Sequence, residues 1–266
     1  MESIGLIAGS GILPLILLER IKKDKLRVVT IAFKGLSSDN LSDASDNTYW
    51  ISPGELGRLI GILKDEGIKR AIMAGKVPKT LMFTDIEPDI RAMTFFLKLR
   101  DKKDESLLRA LAEELESEGI TLEGLTSYLN HLLVQKGVLT TKSPSEEEVK
   151  DIEFGLKIAR EIGRLDIGQT VVIKNQALLA VEAIEGTDEA IKRGGKLGNG
   201  DVVVIKVSKP GQDMRFDVPV VGLKTMDALK EANAKVLALE SGMTIILNRE
   251  AMIREADKIG LCIIGV

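Results

Sequence analysis

IGLIAGSGILPLILLERIKKDKLRVVTIAF, residues 4–33, holds a short apolar run, a Gly-Ser-Gly turn, a stretch that reads as helix and a second apolar run. Two apolar strands joined through a helix form a β-α-β unit, in which the crossover makes the strands parallel. The pattern repeats downstream. SPGELGRLIGILKDEG (52–67) spaces its apolar residues as a helix does, and KRAIMAGKV (69–77) is the next strand. ESLLRALAEELESEG (105–119) is a further amphipathic helix, with Leu107, Leu108, Leu111 and Leu115 on one stripe. The first half is therefore expected to be α/β with a parallel sheet.

The order changes after residue 130. Ser145 and Glu148 have the spacing of a capping box that starts a helix ending near Gly163. TVVIKNQALLAVEAIEG (170–186) reads as a hairpin turning at Lys174-Asn175-Gln176, with its second strand running to Glu185. DVVVIKV (201–207) and RFDVPVVGL (215–223) read as strands, TMDALKEANAKVLALESG (225–242) as one helix, and MTIILN (243–248) as a strand. Another helix and LCIIGV (261–266) complete the chain. A boundary near residue 133 divides it into domains 1–132 and 133–266, the second with a mixed sheet.

Composition narrows the function classes. The chain has 266 residues, 44% hydrophobic and 29% charged, enough for two ordinary domains with real cores. A net charge of -3 and 3% aromatic residues argue against a nucleic-acid partner, which needs a basic field and stacking platforms. No run of eighteen apolar residues and no signal-peptide pattern is present, which fits the cytoplasm. The single cysteine, Cys262, lies in an apolar tail and reads as a buried structural thiol. With one histidine, His131, any metal must be held mainly by oxygen ligands, which favours magnesium, manganese or calcium.

Several motifs could carry chemistry. Gly9-Ser10-Gly11 closes the first strand and opens a helix, placing backbone N–H groups and a helix N-terminus where an anion can sit. Pro14 stands where a third glycine would complete a dinucleotide fingerprint, and Ala32-Phe33-Lys34 lacks the acidic residue that grips an NAD ribose. NAD binding is thus disfavoured, and a phosphate or nucleotide remains. Gly75, Lys76 and Val77 follow the third strand, where ligand loops emerge; Lys76 reads equally as a phosphate contact or as a solvated lysine. Phe95 and Phe96 read as core, with an apolar groove or a dimer contact as the alternative.

KVSKPGQDMRFDVPVVGLKT (206–225) concentrates charge. As an extended strand it places Asp213, Arg215 and Asp217 on one face, while Lys209 and Arg215 suit phosphate oxygens. Asp213 and Asp217 would stand about 13 Å apart, too far to share one metal. A metal site needs one of them together with carboxylates from elsewhere, and Glu182, Glu185 and Asp188 are the candidates. Thr187 and Asp188 read equally well as a helix cap, whereas Glu182 interrupts an apolar strand.

Taken together, GLIAGSGILP (5–14), AGKV (74–77), REIGRLDIGQTVV (160–172), LAVEAIEGTDEAIKRGG (179–195) and KPGQDMRFDVPVVGLKTM (209–226) resemble the UDP-2,3-diacylglucosamine pyrophosphatases of the LpxI type, from lipid A biosynthesis. The resemblance implies an N-terminal Rossmann-like domain and a distinct C-terminal domain. It also implies magnesium-dependent hydrolysis of UDP-2,3-diacylglucosamine to UMP and 2,3-diacylglucosamine 1-phosphate, with manganese as an alternative metal. Within the matching stretches it marks Asp217 as essential, and the charge pattern of the stretch itself adds Arg215 and Asp213 to the catalytic set. Gly9, Ser10, Gly11, Gly75, Lys76, Val77, Gln169, Thr187, Lys209, Gln212 and Thr225 are taken as substrate-binding. Asp217, Glu182, Glu185 and Asp188 form the candidate metal set. A lipid substrate implies transient contact with the inner face of the inner membrane, and a homo-oligomer is left open. The rival readings are another nucleotide-sugar enzyme and a non-catalytic nucleotide- or lipid-binding module.

Overall fold

The computed structural model describes residues 2–77, 88–99, 104–210, 213–215 and 218–266. Two compact units emerge. One comprises Met1–Asn130 with Asp213–Phe216, the other His131–Gln212 with Asp217–Val266.

The first unit runs β1 (Ser3–Ala8), α1 (Leu13–Lys23), β2 (Arg27–Phe33), α2 (Leu41–Ala44), β3 (Asn47–Ile51), α3 (Leu56–Asp65), β4 (Arg70–Ala74), α4 (Ile90–Lys98), α5 (Asp104–Ser117), β5 (Thr121–Glu123) and α6 (Thr126–Leu129). Its five strands are all parallel, in the order β3-β2-β1-β4-β5. Strands covered on both faces need near-continuous apolar sequence, and β1 and β2 are buried from their second residue onward. Val29, Ile31 and Phe33 pack with Leu59, Ile60 and Leu63 of α3, Phe95 of α4 and Leu115 of α5. The expected sheet is present, but β3 was not legible. Its sequence, NTYWI, is only half-buried, and the apolar run that marks an interior strand is missing. Phe95 is buried as expected, whereas Phe96 is exposed and meets it edge to face at 5.6 Å.

The second unit runs β6 (Gly137–Val138), α7 (Glu146–Arg164), β7 (Thr170–Lys174), β8 (Ala177–Val181), α8 (Thr187–Gly198), β9 (Val202–Lys206), β10 (Val220–Val221), α9 (Leu223–Glu231), β11 (Ala234–Leu239), β12 (Ile245–Ile246), α10 (Arg249–Ile259) and β13 (Cys262–Gly265). A mixed six-stranded sheet has the order β6-β13-β11-β9-β7-β8, and β10 pairs with β12 in a small parallel pair. β9, β11 and β13 are parallel, while β6, β7 and β8 run antiparallel to their neighbours. Ile152, Ala159 and Ile162 of α7 cover one face. Ile191 of α8, Leu229 of α9 and Met252 of α10 cover the other.

Local chemistry explains the ends. Ser145 and Glu148 form the expected capping box at the start of α7. Asn175 and Gln176 both take positive φ, the backbone of a two-residue hairpin turn, and join β7 to β8 as expected. Cys262 is fully buried, and burial pushes its thiol up.

Three expectations are corrected. Residues 225–242 are not one helix: α9 stops, Asn233 adopts φ 45°, and β11 follows as an interior strand. The Ala- and Leu-rich composition favours helix locally, but the slot between β9 and β13 outweighs it. The hairpin's second strand stops at Val181, short of Glu185. Residues 213–215 do not form a strand, because Asp213 folds back on Arg215.

Candidate functional site

In the first unit the strand order reverses at β1. The chain leaves β1 for β2 on one side, and β4 lies on the other. Loops at the carboxyl ends of such neighbouring strands border the crevice where open α/β sheets take ligands. Here the two loops are bonded to each other. Gly9 N–H donates to Ala74 O at 2.8 Å, Ser10 N–H to Lys76 O at 2.9 Å, and Lys76 N–H to Ser10 O at 3.1 Å. The Ser10 hydroxyl also donates to Lys76 O, at 2.9 Å. Ser10 therefore holds the loops together rather than offering its N–H to an anion. Beyond it Gly11 is exposed with φ 94°, and the N-terminus of α1 has no side-chain cap and no acidic residue in its first turn. That end of the helix suits an anion. Lys76 and Val77 are exposed beside it in sequence register with Ser10.

Asp213 and Arg215 also belong to the first unit. One Asp213 oxygen accepts from Arg215 N–H at 3.0 Å, the turn an aspartate makes with the backbone two residues on. Arg215 Nη2 donates to the other oxygen at 2.8 Å, and the guanidinium holds the Asp213 carboxyl below the usual range. Arg215 Nη1 lies 3.6 Å from Glu116. The turn removes the premise of the extended-strand distance between Asp213 and Asp217. Gln212 and Asp217 lie outside the described residues.

The second unit gathers polar groups at one edge of its sheet. Lys206 ends β9 opposite Thr170 of β7 and Leu239 of β11, and Val181 ends β8 opposite Val171. Next to these ends, Glu182 is 9% exposed and Lys206 4%. Lys206 Nζ donates to Thr187 Oγ1 at 2.7 Å, and Thr187 Oγ1 donates to Glu182 Oε1 at 2.7 Å. Glu182 Oε2 lies 3.4 Å from Gln169 N–H, a long contact that leaves it acceptor capacity. Gln169 Oε1 is buried with no hydrogen-bond partner among the described residues. Thr187 opens α8 after Gly186, whose φ of 85° turns the chain into the helix. Thr225 is buried in the first turn of α9.

The remaining expected residues face other partners. Glu185 binds Arg193 Nη2 at 2.6 Å, Asp188 lies 3.9 Å from Lys224, and Lys209 pairs with Asp166. Among the described residues, no three His, Cys, Asp or Glu side chains are grouped as a metal site requires. Lys206 opens the charged stretch read from sequence but is given no site role there, although a lysine closing an apolar strand was a usable signal: lysines are almost never buried unless paired. The Ser208–Glu240 contact, through both N–H and Oγ at 2.8 and 2.9 Å, left no such signal.

Residues 3–132 match the LpxI N-terminal domain, and residues 135–264 match the LpxI C-terminal domain. The chain belongs to the LpxI family. It is 34% identical over 280 aligned positions to the UDP-2,3-diacylglucosamine pyrophosphatase LpxI of Caulobacter vibrioides, covering 100% of this chain and 98% of that protein. Among solved structures, it is similar to the biotin carboxylase subunit of pyruvate carboxylase at TM-score 0.30 and 13% identity, over 68% of this chain and 36% of that one. The biotin carboxylase domain of Hydrogenobacter thermophilus 2-oxoglutarate carboxylase gives TM-score 0.27 and 16% identity, over 65% and 35%. The chain thus spans about a third of each, and likeness at this level adds nothing to the LpxI assignment.

Proposed function

We propose that this LpxI-family protein hydrolyses the diphosphate bond of UDP-2,3-diacylglucosamine in lipid A biosynthesis, giving UMP and 2,3-diacylglucosamine 1-phosphate. The carrying observation is the 34% identity to the Caulobacter vibrioides enzyme along the whole chain. The geometry supports the same reading. The uncapped α1 N-terminus beside Gly11 suits a phosphate, and Gln169 Oε1, which has no partner among the described residues, suits a ligand donor.

Magnesium, or manganese in its place, belongs to the proposal. The described donors do not form a protein cage, but magnesium is commonly held by one or two carboxylates and the substrate's own phosphates. Glu182, with its under-used Oε2, and Asp217 would hold it. When bound, the metal neutralises diphosphate charge and lowers the pKa of water. Asp217 would orient the attacking water, and the Arg215 guanidinium and the Lys209 ammonium are each groups suited to phosphate oxygens. Among the described residues no helix is long and apolar enough to cross a membrane. The acyl chains of the substrate would then bring the protein transiently to the cytoplasmic face of the membrane.

The test is UMP release from UDP-2,3-diacylglucosamine as magnesium or manganese is varied. Release that depends on the metal, with UDP-GlcNAc a poor substrate, is expected; no release at any metal concentration overturns the reading. Asp217→Ala should abolish turnover while keeping substrate affinity. A non-catalytic binding module would bind substrate without turnover in the parent protein as well.

A further inference from the structure

Lys206 lies where an ammonium is costly, at the end of the apolar strand β9 and 4% exposed. Lysine has three donors and no acceptor. In the 2.7 Å contact with Thr187 Oγ1, the hydroxyl oxygen must therefore be the acceptor. Its single proton is then left for Glu182 Oε1, also 2.7 Å away. The lysine thus decides which way an otherwise free hydroxyl rotor points. The rotor in turn ties one oxygen of a buried carboxylate, and Glu182 Oε2, with only its long 3.4 Å contact to Gln169 N–H, keeps acceptor capacity for a ligand. All three residues sit at the carboxyl-terminal edge of the sheet, on β9, after β8 and at the start of α8.

We propose that Lys206 is a positioning residue of the hydrolase, acting through the Thr187 hydroxyl to fix the Glu182 carboxylate in its working orientation. The inference rests on the hydrolytic reading of the site and adds a residue to it. The pairing is one chain of donors: Lys206 and Thr187 act on Glu182 in series, so either one alone is insufficient.

Series action has a kinetic signature. Lys206→Met replaces the ammonium by an apolar side chain of similar length, and Thr187→Val removes the hydroxyl while keeping the shape. Because the working carboxylate orientation is lost with either link of the chain, each variant should lower kcat by about tenfold or more. KM should stay within about threefold of the parent, and the double variant should be no worse than the weaker single. Thr187→Ser, which retains the hydroxyl, should recover most of the kcat lost in Thr187→Val. Thermal unfolding of each variant is measured beside the kinetics. A purely structural role predicts a lower midpoint and fewer active molecules with unchanged kcat per folded molecule, and that result overturns the proposal. So does a Lys206→Met kcat equal to the parent's, or losses that multiply in the double variant. If the parent itself releases no UMP, the hydrolase reading fails and this assignment with it. Parental activity with an indifferent Lys206→Met overturns the positioning role alone.

Discussion

Gly75 has φ 89°, and a Cβ there would stand 2.6 Å from Ser10 O and 2.8 Å from the carbonyl carbon of Gly9. Across the gap, a Cβ on Gly9 would stand 2.7 Å from Lys76 O. Two glycines are needed because two backbones meet face to face at the switch point, and the Ser10–Lys76 bonds form only at that approach. Gly67 separates the two costs, having φ 68° but open space around its missing Cβ. Gly67→Ala should destabilise the protein by about 1 kcal/mol, the left-handed penalty alone. Gly75→Ala should cost about 2 kcal/mol or more, because clash adds to strain, and should weaken nucleotide binding. Urea unfolding of the two variants decides it: equal losses would mean that the loops part freely and that their apposition is incidental. The site was legible at this scale where residue type is restrictive. Gly9, Gly75, Glu182 and Thr187 stand out in the sequence, whereas Lys206 shows only as the lysine closing an apolar run, and its role emerges once its burial and partner are known.

Among the elements, the β7–β8 hairpin is held to α7 by one carboxylate. Asp151, 6% exposed, accepts from Asn175 N–H at 2.9 Å and Gln176 N–H at 2.5 Å. Lys174 Nζ donates to the carbonyls of Gly198 and Gly200, both at 2.8 Å, and so caps the end of α8 from the same turn. The hairpin thereby joins the helices on both faces of the sheet. Asp151→Asn keeps the shape but sets an amide NH2 against a backbone donor, so it should cost about 1–3 kcal/mol. Amide exchange at Asn175 and Gln176 should quicken before global unfolding does; unchanged exchange would show that the turn holds itself. This hairpin could be read from sequence because its turn residues and flanking apolar runs are local signals. β11 could not, because AKVLAL suits a helix as well as a strand and only the vacancy between β9 and β13 decides. The Asp213–Arg215 turn failed for the same reason in reverse: charge alternation mimics a strand, while the aspartate's bond to its own backbone makes a turn.

For the whole molecule, carboxylates tied into ionic clusters set the response to acid. Glu66 accepts from Tyr49, Arg27 and Asn47, and these bonds lower its carboxyl to about 2, with the Tyr49 contact the largest cause. Glu118, between Lys64 and Arg91, and Glu255, between Lys258 and Lys230, are lowered to about 2 in the same way. The three are distributed over both units, so neither sheet is exempt. A carboxylate depressed in the folded state adds stability that is complete above its unfolded value of 4.5 and drains away as pH falls toward about 2. Urea midpoints should therefore hold level from about pH 7 to about 5 and fall steeply below about 4.5. Glu66 is the informative position, being the least exposed of the three, with a side chain 14% accessible. Glu66→Gln should be weaker than the parent at neutral pH, because a neutral amide cannot hold Arg27 as a carboxylate does. Its midpoint should also change less with acid, so the two curves should converge toward about pH 2, where the parent carboxyl is itself losing its charge. A constant gap between them from about pH 7 to about 3 would mean that Glu66 anchors β3 to its neighbours by shape and hydrogen-bond count, and that its charge contributes nothing to folding.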